Sequence, residues 1–273
     1  MRLSLLRIAA AGSILTCGVA LVPPLLALET GKAASSSTLA DALASPHRSP
    51  ANKARDRYRH PAETLSFFGV EPDDHVVELW PGGGWYTEIL APYLADEGAL
   101  WLVPPVGRYT DTIKTKVASD PAYSKAHIAT ITPGQPTEIP AGSADVVLTF
   151  RNVHNWMMGD APIADAVFAE AFRVLKPGGT LGIVDHRLPE PADSARERTS
   201  GYIKVSTVRA LAEKAGFRYV AASQVNANPK DTADWTDGVW TLPPAYRLGD
   251  KDRAKYEAVG ESDRMTLKFV KPS

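Results

Sequence analysis

Val76-Val77-Glu78-Leu79-Trp80-Pro81-Gly82-Gly83-Gly84-Trp85 is the stretch on which the fold turns. His75–Leu79 is a short apolar run, and Trp85, Ile89, Leu90, Tyr93 and Leu94 follow at helical spacing. Strand, glycine turn and helix are the expectation. Three glycines let a backbone pass close to a ligand and present its amide groups. In an open α/β sheet such a turn lies at the carboxyl edge, where ligands bind. From the turn alone, a plain tight connection reads equally well. Several nucleotide and hydrolase signatures are excluded. The chain has no G-x-x-x-x-G-K-[ST], Thr87 stands where G-x-G-x-x-G needs its third glycine, and G-x-S-x-G is absent.

Working outward, the same alternation continues. Ala99–Val103, a weaker His127–Ile131 and Ala144–Phe150 read as strands. Asp160 is placed to cap a helix carrying Ile163, Val167, Phe168, Ala171, Phe172 and Leu175, which Lys176-Pro177-Gly178-Gly179 stops. Thr180–Val184 resumes as a strand, a helix runs from Ser206 to Gly216, and Phe217–Val225 and Arg264–Val270 are the last strands. Upstream, Ala51–Phe68 reads as two short helices split by Pro61 and closed by Gly69, and residues 28–50 as a linker or loose arm. Alternating strands and helices imply a parallel sheet wrapped by helices. One α/β domain over 51–273 is expected, with a polar, tryptophan-bearing insertion near 227–262.

The 273 residues carry 30 basic and 31 acidic side chains and are 44% hydrophobic, which excludes a disordered chain and gives no sign of a nucleic-acid binder. A single cysteine, Cys17, excludes a disulfide framework and a cysteine-based zinc site. Arg2 and Arg7 precede an uncharged stretch from Ile8 to Leu28, the pattern of a secretory signal peptide over residues 1–27, cleaved between 27 and 34. An uncleaved membrane anchor is the other reading. Pro23, Pro24 and the small residues Gly12, Ser13 and Thr16 count against it. Export to the periplasm, without stable membrane insertion after cleavage, is the expectation.

Glu78 through Gly84 resembles the first motif of class I S-adenosylmethionine-dependent methyltransferases, in which an acidic strand end precedes a glycine-rich turn. Ala144–Leu148 resembles that family's fourth strand, Leu175–Leu181 the turn into its fifth, and Ala215-Gly216-Phe217 the turn into its sixth. Tyr58–Glu63 and Pro81–Thr87 further resemble a bacterial group of exported methyltransferase-like proteins. The resemblance implies a doubly wound, mostly parallel seven-stranded sheet with helices on both faces and an antiparallel last strand. It implies S-adenosylmethionine as cofactor, held by Glu78, Gly82, Gly83, Gly84 and Gln135. Three departures stand out. Trp80 replaces the first glycine, Leu102-Val103-Pro104-Pro105 ends the second strand without the ribose-binding carboxylate, and Gln135 stands where an aspartate often meets the adenine.

Arg151-Asn152-Val153-His154-Asn155-Trp156 follows the fourth strand, where the family contacts its acceptor. His154 is the candidate base and Asn152 the candidate orienting residue, with Trp156 as a wall. The bland reading has His154 filling a polar gap. Trp85 and Tyr86 either attract a sulfonium through their faces or belong to the core. Asp185-His186 reads as part of a structural salt bridge with an arginine, and no metal site is assigned. The insertion's Trp235, Trp240, Pro243 and Pro244 suggest a lid over an acceptor or a cover for the N-terminal arm. The expected function is exported methyl transfer to a small-molecule or envelope acceptor. The other reading is a non-catalytic binding protein on the same fold.

Overall fold

The computed structural model describes residues 38–273. The signal-peptide expectation and the first part of the arm lie outside the described residues. Four short helices come first: α1 (Leu39–Ala44), α2 (Pro50–Lys53), α3 (Asp56–Arg59) and α4 (Pro61–Phe68). Then follow β1 (His75–Leu79), α5 (Thr87–Tyr93), β2 (Ala99–Val103), α6 (Arg108–Ser119), β3 (Ala126–Ile128), β4 (Ala144–Phe150), α7 (Val153–Met157) and α8 (Ala164–Val174). The chain closes with β5 (Leu175–Leu188), β6 (Ile203–Lys204), α9 (Val205–Lys214), β7 (Arg218–Ser223), α10 (Arg253–Val259) and β8 (Arg264–Val270).

The sheet runs β3-β2-β1-β4-β5-β8-β7, with the two-residue β6 paired to β5 outside that path. β8 is antiparallel to both β5 and β7, and the neighbours from β3 to β5 are parallel. The expected seven strands are present, and β6 makes an eighth. The strands are apolar on both faces because helices cover both. Val77 and Val147 point into one layer with Val167, Phe168 and Ala171 of α8 and Val208 of α9. Val76, Val146 and Leu148 point into the other with Leu65, Phe68, Ile89 and Ile113. Removing the Phe168 ring from the first layer would cost about 3–5 kcal/mol.

Several local expectations change. Residues 38–50 are not a loose arm within the described part. Thr38 accepts a hydrogen bond from the Asp41 amide and Asp41 answers the Thr38 amide, a reciprocal cap that starts α1. Ala42 is buried in the layer that holds α5, and Arg48 makes a bidentate pair with Asp56 at 2.8 and 2.6 Å. Asp160 does not cap α8. Ile163 is the residue before its first turn, and no side chain caps it. Lys176–Gly179 forms an irregularity in β5, where pairing jumps from Ala144↔Leu175 to Val146↔Thr180. Gly69 ends α4 in the left-handed region, as its position after Phe68 suggested.

Candidate active site

β1 and β4 are parallel neighbours, so the segments following them emerge side by side at the carboxyl edge. Trp80-Pro81-Gly82-Gly83 and Phe150-Arg151-Asn152 together line a cavity of about 660 Å³. That volume falls within the roughly 300–1,000 Å³ of small-molecule sites. Pro105 and Tyr109 close one side, and Trp240, Pro243, Pro244 and Ser262 of the insertion close another. The insertion therefore walls the cavity. Through Glu261 it also grips the N-terminal helices, with ion pairs to Arg55 at 2.6 Å and Arg59 at 3.4 Å. Arg55 and Arg59 lie beyond residues 28–50, so these ion pairs are not the expected cover of the arm.

The glycine turn divides into two kinds of residue. Gly82 and Gly83 line the cavity, and nothing lies within 4 Å of a Cβ built on either. Their backbone is open to a ligand. Gly84 is outside the cavity lining. A Cβ there would meet Lys116 Cδ at 2.8 Å and Cε at 2.9 Å, so this glycine makes room for the Lys116–Glu88 ion pair. Glu78 also does not reach the cavity wall. It is buried and accepts a hydrogen bond from Thr87 Oγ1 at 2.7 Å, which fixes the start of α5 against the end of β1. Burial pushes its carboxyl up to about 7, partly opposed by the Thr87 hydroxyl and Lys116. Gln135 stands in an exposed turn whose amide bonds the Thr132 carbonyl, outside the cavity.

Trp80 takes a φ of 52°, the conformation a glycine adopts without penalty. Its ring packs edge-on against Trp156 at 6.0 Å, and its indole N–H is buried without a partner among the described residues. Asn152 acts as a staple. Its Nδ2 donates to the Leu79 and Trp80 carbonyls at 3.2 and 3.0 Å and to Thr149 Oγ1 at 3.1 Å, locking β4 to the start of the turn. With those donors engaged on the backbone, Asn152 orients the turn rather than an acceptor. The core reading wins for Tyr86, which is buried and stacks on Phe150 with centroids 3.5 Å apart. Trp85 touches the cavity, but Arg59 and Arg48 already lie 4.6 and 5.4 Å from its ring centroid.

His154 lies on α7, buried at the cavity wall, with Nδ1 at 2.7 Å from Asp185 Oδ1. Asp185 is fully buried and also accepts the backbone N–H of His154 at 3.1 Å and of His186 at 2.7 Å. The expected Asp185–arginine bridge is not formed, because the carboxylate is taken up by these three donors. An ionised carboxylate only accepts, so the His154 proton is on Nδ1 and Nε2 is left as an acceptor. His186 bonds Ser262 Oγ through Nδ1. Burial first, then the charges of His154, Arg151, Arg264 and Arg59, hold its imidazole well below the usual histidine range. Ligand atoms of His154, Asp185 and His186 lie within 4.8 Å of one another. The nearby guanidinium groups and the filled Asp185 oxygens make this a poor dication site.

The residues fit the amino-acid half of S-adenosylmethionine, since Gly82 and Gly83 open their backbone to the cavity. On the ribose side, β2 ends in Val103 and Pro104 with no carboxylate. This sheet order, with a glycine turn after β1 opening into a cavity, defines the class I methyltransferase architecture. Residues 78–183 match the family model described as a methyltransferase domain. It is 24% identical over 178 residues to an arsenite methyltransferase of Halobacterium salinarum, covering 62% of this chain and 44% of that protein, less than half its length. A methyltransferase structure from Aquifex aeolicus matches with a TM-score of 0.56 at 15% identity, over 82% of this chain and 94% of that one. Geranyl diphosphate methyltransferase in complex with S-adenosylmethionine matches with a TM-score of 0.55 at 13% identity, over 88% and 93%. At these identities the structures speak to fold alone.

Proposed function

We propose that this chain is an exported S-adenosylmethionine-dependent methyltransferase acting on a small-molecule or envelope acceptor. The observation that carries the reading is the buried His154–Asp185 pair on the wall of the same cavity that Gly82 and Gly83 open into. When bound, S-adenosylmethionine supplies a methyl group on a sulfonium whose sulfur departs as a neutral thioether. The amides of Gly82 and Gly83 would hold the amino-acid part, with Asn152, Glu78 and Thr87 keeping the turn in place. Trp80, Trp240 and the Pro243-Pro244 wall exclude water, so positioning supplies much of the acceleration. His154 Nε2 would take the proton of an acceptor hydroxyl or amine placed beside it. Asp185 then faces the imidazolium across 2.7 Å and stabilises it.

Arsenite is not the acceptor this cavity suggests. Soft thiolate ligands suit such thiophilic acceptors, and none of the lining residues is a cysteine. Export rests on Arg2, Arg7 and the uncharged run that follows. Two experiments test the proposal. Methyl-labelled cofactor incubated with the protein and an envelope or small-molecule extract should label an acceptor, and His154→Ala should abolish that label. Mass spectrometry of the periplasmic fraction should find a chain starting between Leu28 and Ser35. An intact Met1 terminus in the membrane fraction would replace export with anchoring.

A further inference from the structure

The acceptor end of the cavity is strongly cationic. Arg55 and Arg151 line it, and Arg59 and Arg264 stand directly behind, both almost fully buried. A single carboxylate, Glu261, sits among them, pairing with Arg55, Arg59 and Arg264 at 2.6, 3.4 and 3.1 Å. Burial alone would raise the Glu261 carboxyl, yet Arg59, Arg264 and Arg55 hold it down at about 2. Asp185 and Asp263 also act on Arg151 and Arg264, but Asp185 is bonded to His154 and Asp263 is paired with Arg187, so positive charge remains in excess in a desolvated place. Such a charge is costly unless something neutralises it.

The donors are not used up among the described residues. Arg55 Nη2 and Arg59 Nη2 are buried with no hydrogen-bond partner among the described residues. The Arg151 guanidinium has no hydrogen bond to any described residue, although it lies on the cavity wall. Its backbone is also unusual, with a φ of 66° directly after β4 while its amide reaches the Val184 carbonyl. A bulky non-glycine residue held there costs on the order of 1–2 kcal/mol, and such strain collects at functional sites. The conformation delivers a guanidinium to the cavity three residues ahead of His154 on the same segment. Around it the walls are apolar and flat: Phe150, Trp240, Pro243 and Pro244.

We infer that the acceptor is a small organic acid, its carboxylate held by Arg151 and Arg55 and its planar apolar body packed between Phe150 and the insertion, so that a hydroxyl or amine elsewhere on it faces His154. A carboxylate matches the planar fork of a guanidinium with two parallel hydrogen bonds. Ser262 and the uncharged His186 border the same end, so the pocket presents no further negative charge beyond Glu261, which its own arginines already engage. The inference rests on the methyltransferase reading of the site but is tested separately from it.

The probes are 4-hydroxybenzoate and its neutral counterpart 4-hydroxybenzamide, titrated calorimetrically into the full chain with and without S-adenosylhomocysteine, with benzyl phosphate as a third arm. The acid should bind at least about tenfold more tightly than the amide. Arg151→Gln should erase that preference while leaving S-adenosylhomocysteine affinity within about twofold, and Arg151→Lys should keep part of it. The comparison of acid with amide on the unmodified protein needs no variant to fold. Equal affinity for acid and amide, or binding of neither, overturns the inference, and so does a preference for the phosphate over the acid. Loss of S-adenosylhomocysteine binding in a folded Arg151→Gln protein overturns it too, by assigning Arg151 to the cofactor carboxylate. Acid selectivity without any S-adenosylhomocysteine binding would leave the anion site standing and remove the methyltransferase reading instead.

Discussion

His154 Nδ1 and Asp185 Oδ1 lie 2.7 Å apart, and both side chains are buried at the carboxyl edge of the sheet. The two residues are 31 positions apart: His154 lies on α7, just past the end of β4, and Asp185 lies within β5, the parallel neighbour of β4. Asp185 directly follows Val184, the register partner of Phe150. The pair therefore follows from the strand register. It fixes one imidazole nitrogen as donor and leaves the other to meet an acceptor proton.

Asp185→Asn should lower kcat by about 10²–10⁴-fold, with KM for the cofactor little changed. An amide at this position can accept only through one oxygen, so its NH₂ would oppose one of the three N–H donors now satisfied. The combined variant His154→Ala/Asp185→Asn should be no slower than His154→Ala alone, because the pair acts as a unit. Additive losses in steady-state kinetics would contradict a shared role. A large fall in melting temperature of His154→Ala, with residual activity intact, would make the histidine structural.

Glu78 gives a pH signature of stability. Its folded carboxyl, raised to about 7, lies above its ordinary value, so between roughly pH 4.5 and 7 the folded chain holds a proton that the unfolded chain releases. Its contribution is fully present below that window, declines as pH rises through it and is flat above. Glu78→Gln keeps an acceptor for Thr87 Oγ1 and carries no charge. Urea unfolding should show the variant gaining on the wild type by up to about 3 kcal/mol between pH 4.5 and 8. A constant difference across that range would contradict the buried, proton-holding Glu78 described here.

The glycines of the turn should separate by phenotype. Gly83→Ala puts a methyl group into open space on the cavity wall, so stability should change by less than about 0.5 kcal/mol while cofactor-product binding weakens. Gly84→Ala forces a side chain onto a φ of 78° and against Lys116, so it should cost on the order of 1–2 kcal/mol or more and lower the melting temperature. Thermal unfolding and calorimetry on both variants check this. The reverse pattern would place the ligand at Gly84.

The fold was legible because period and punctuation agreed. Val76, Val77, Val146 and Val147 alternate between two buried layers, as strands covered on both faces must, and the turn at Gly82–Gly84 marks the ligand edge. His154 and Asn152 both line the cavity at that edge, but the Asn152 role was not legible, since it depends on which backbone carbonyls lie across from its amide. Gln135 was placed by analogy of order along the chain, and an exposed turn carries it away. The arginine cluster was hidden because its counter-ion comes from the far end of the chain. Arg55 and Glu261 are 206 residues apart, and no local pattern joins them.

The central claim is that the cavity at the glycine turn binds S-adenosylmethionine. Calorimetric titration of S-adenosylhomocysteine into purified, ligand-stripped protein tests it most directly. The account predicts a single site with Kd of roughly 10–100 μM, weak for want of a ribose carboxylate, and markedly weaker binding by a folded Gly83→Val variant. No heat and no thermal shift at millimolar ligand, with the protein demonstrably folded, would contradict the claim and leave a binding protein on a methyltransferase fold.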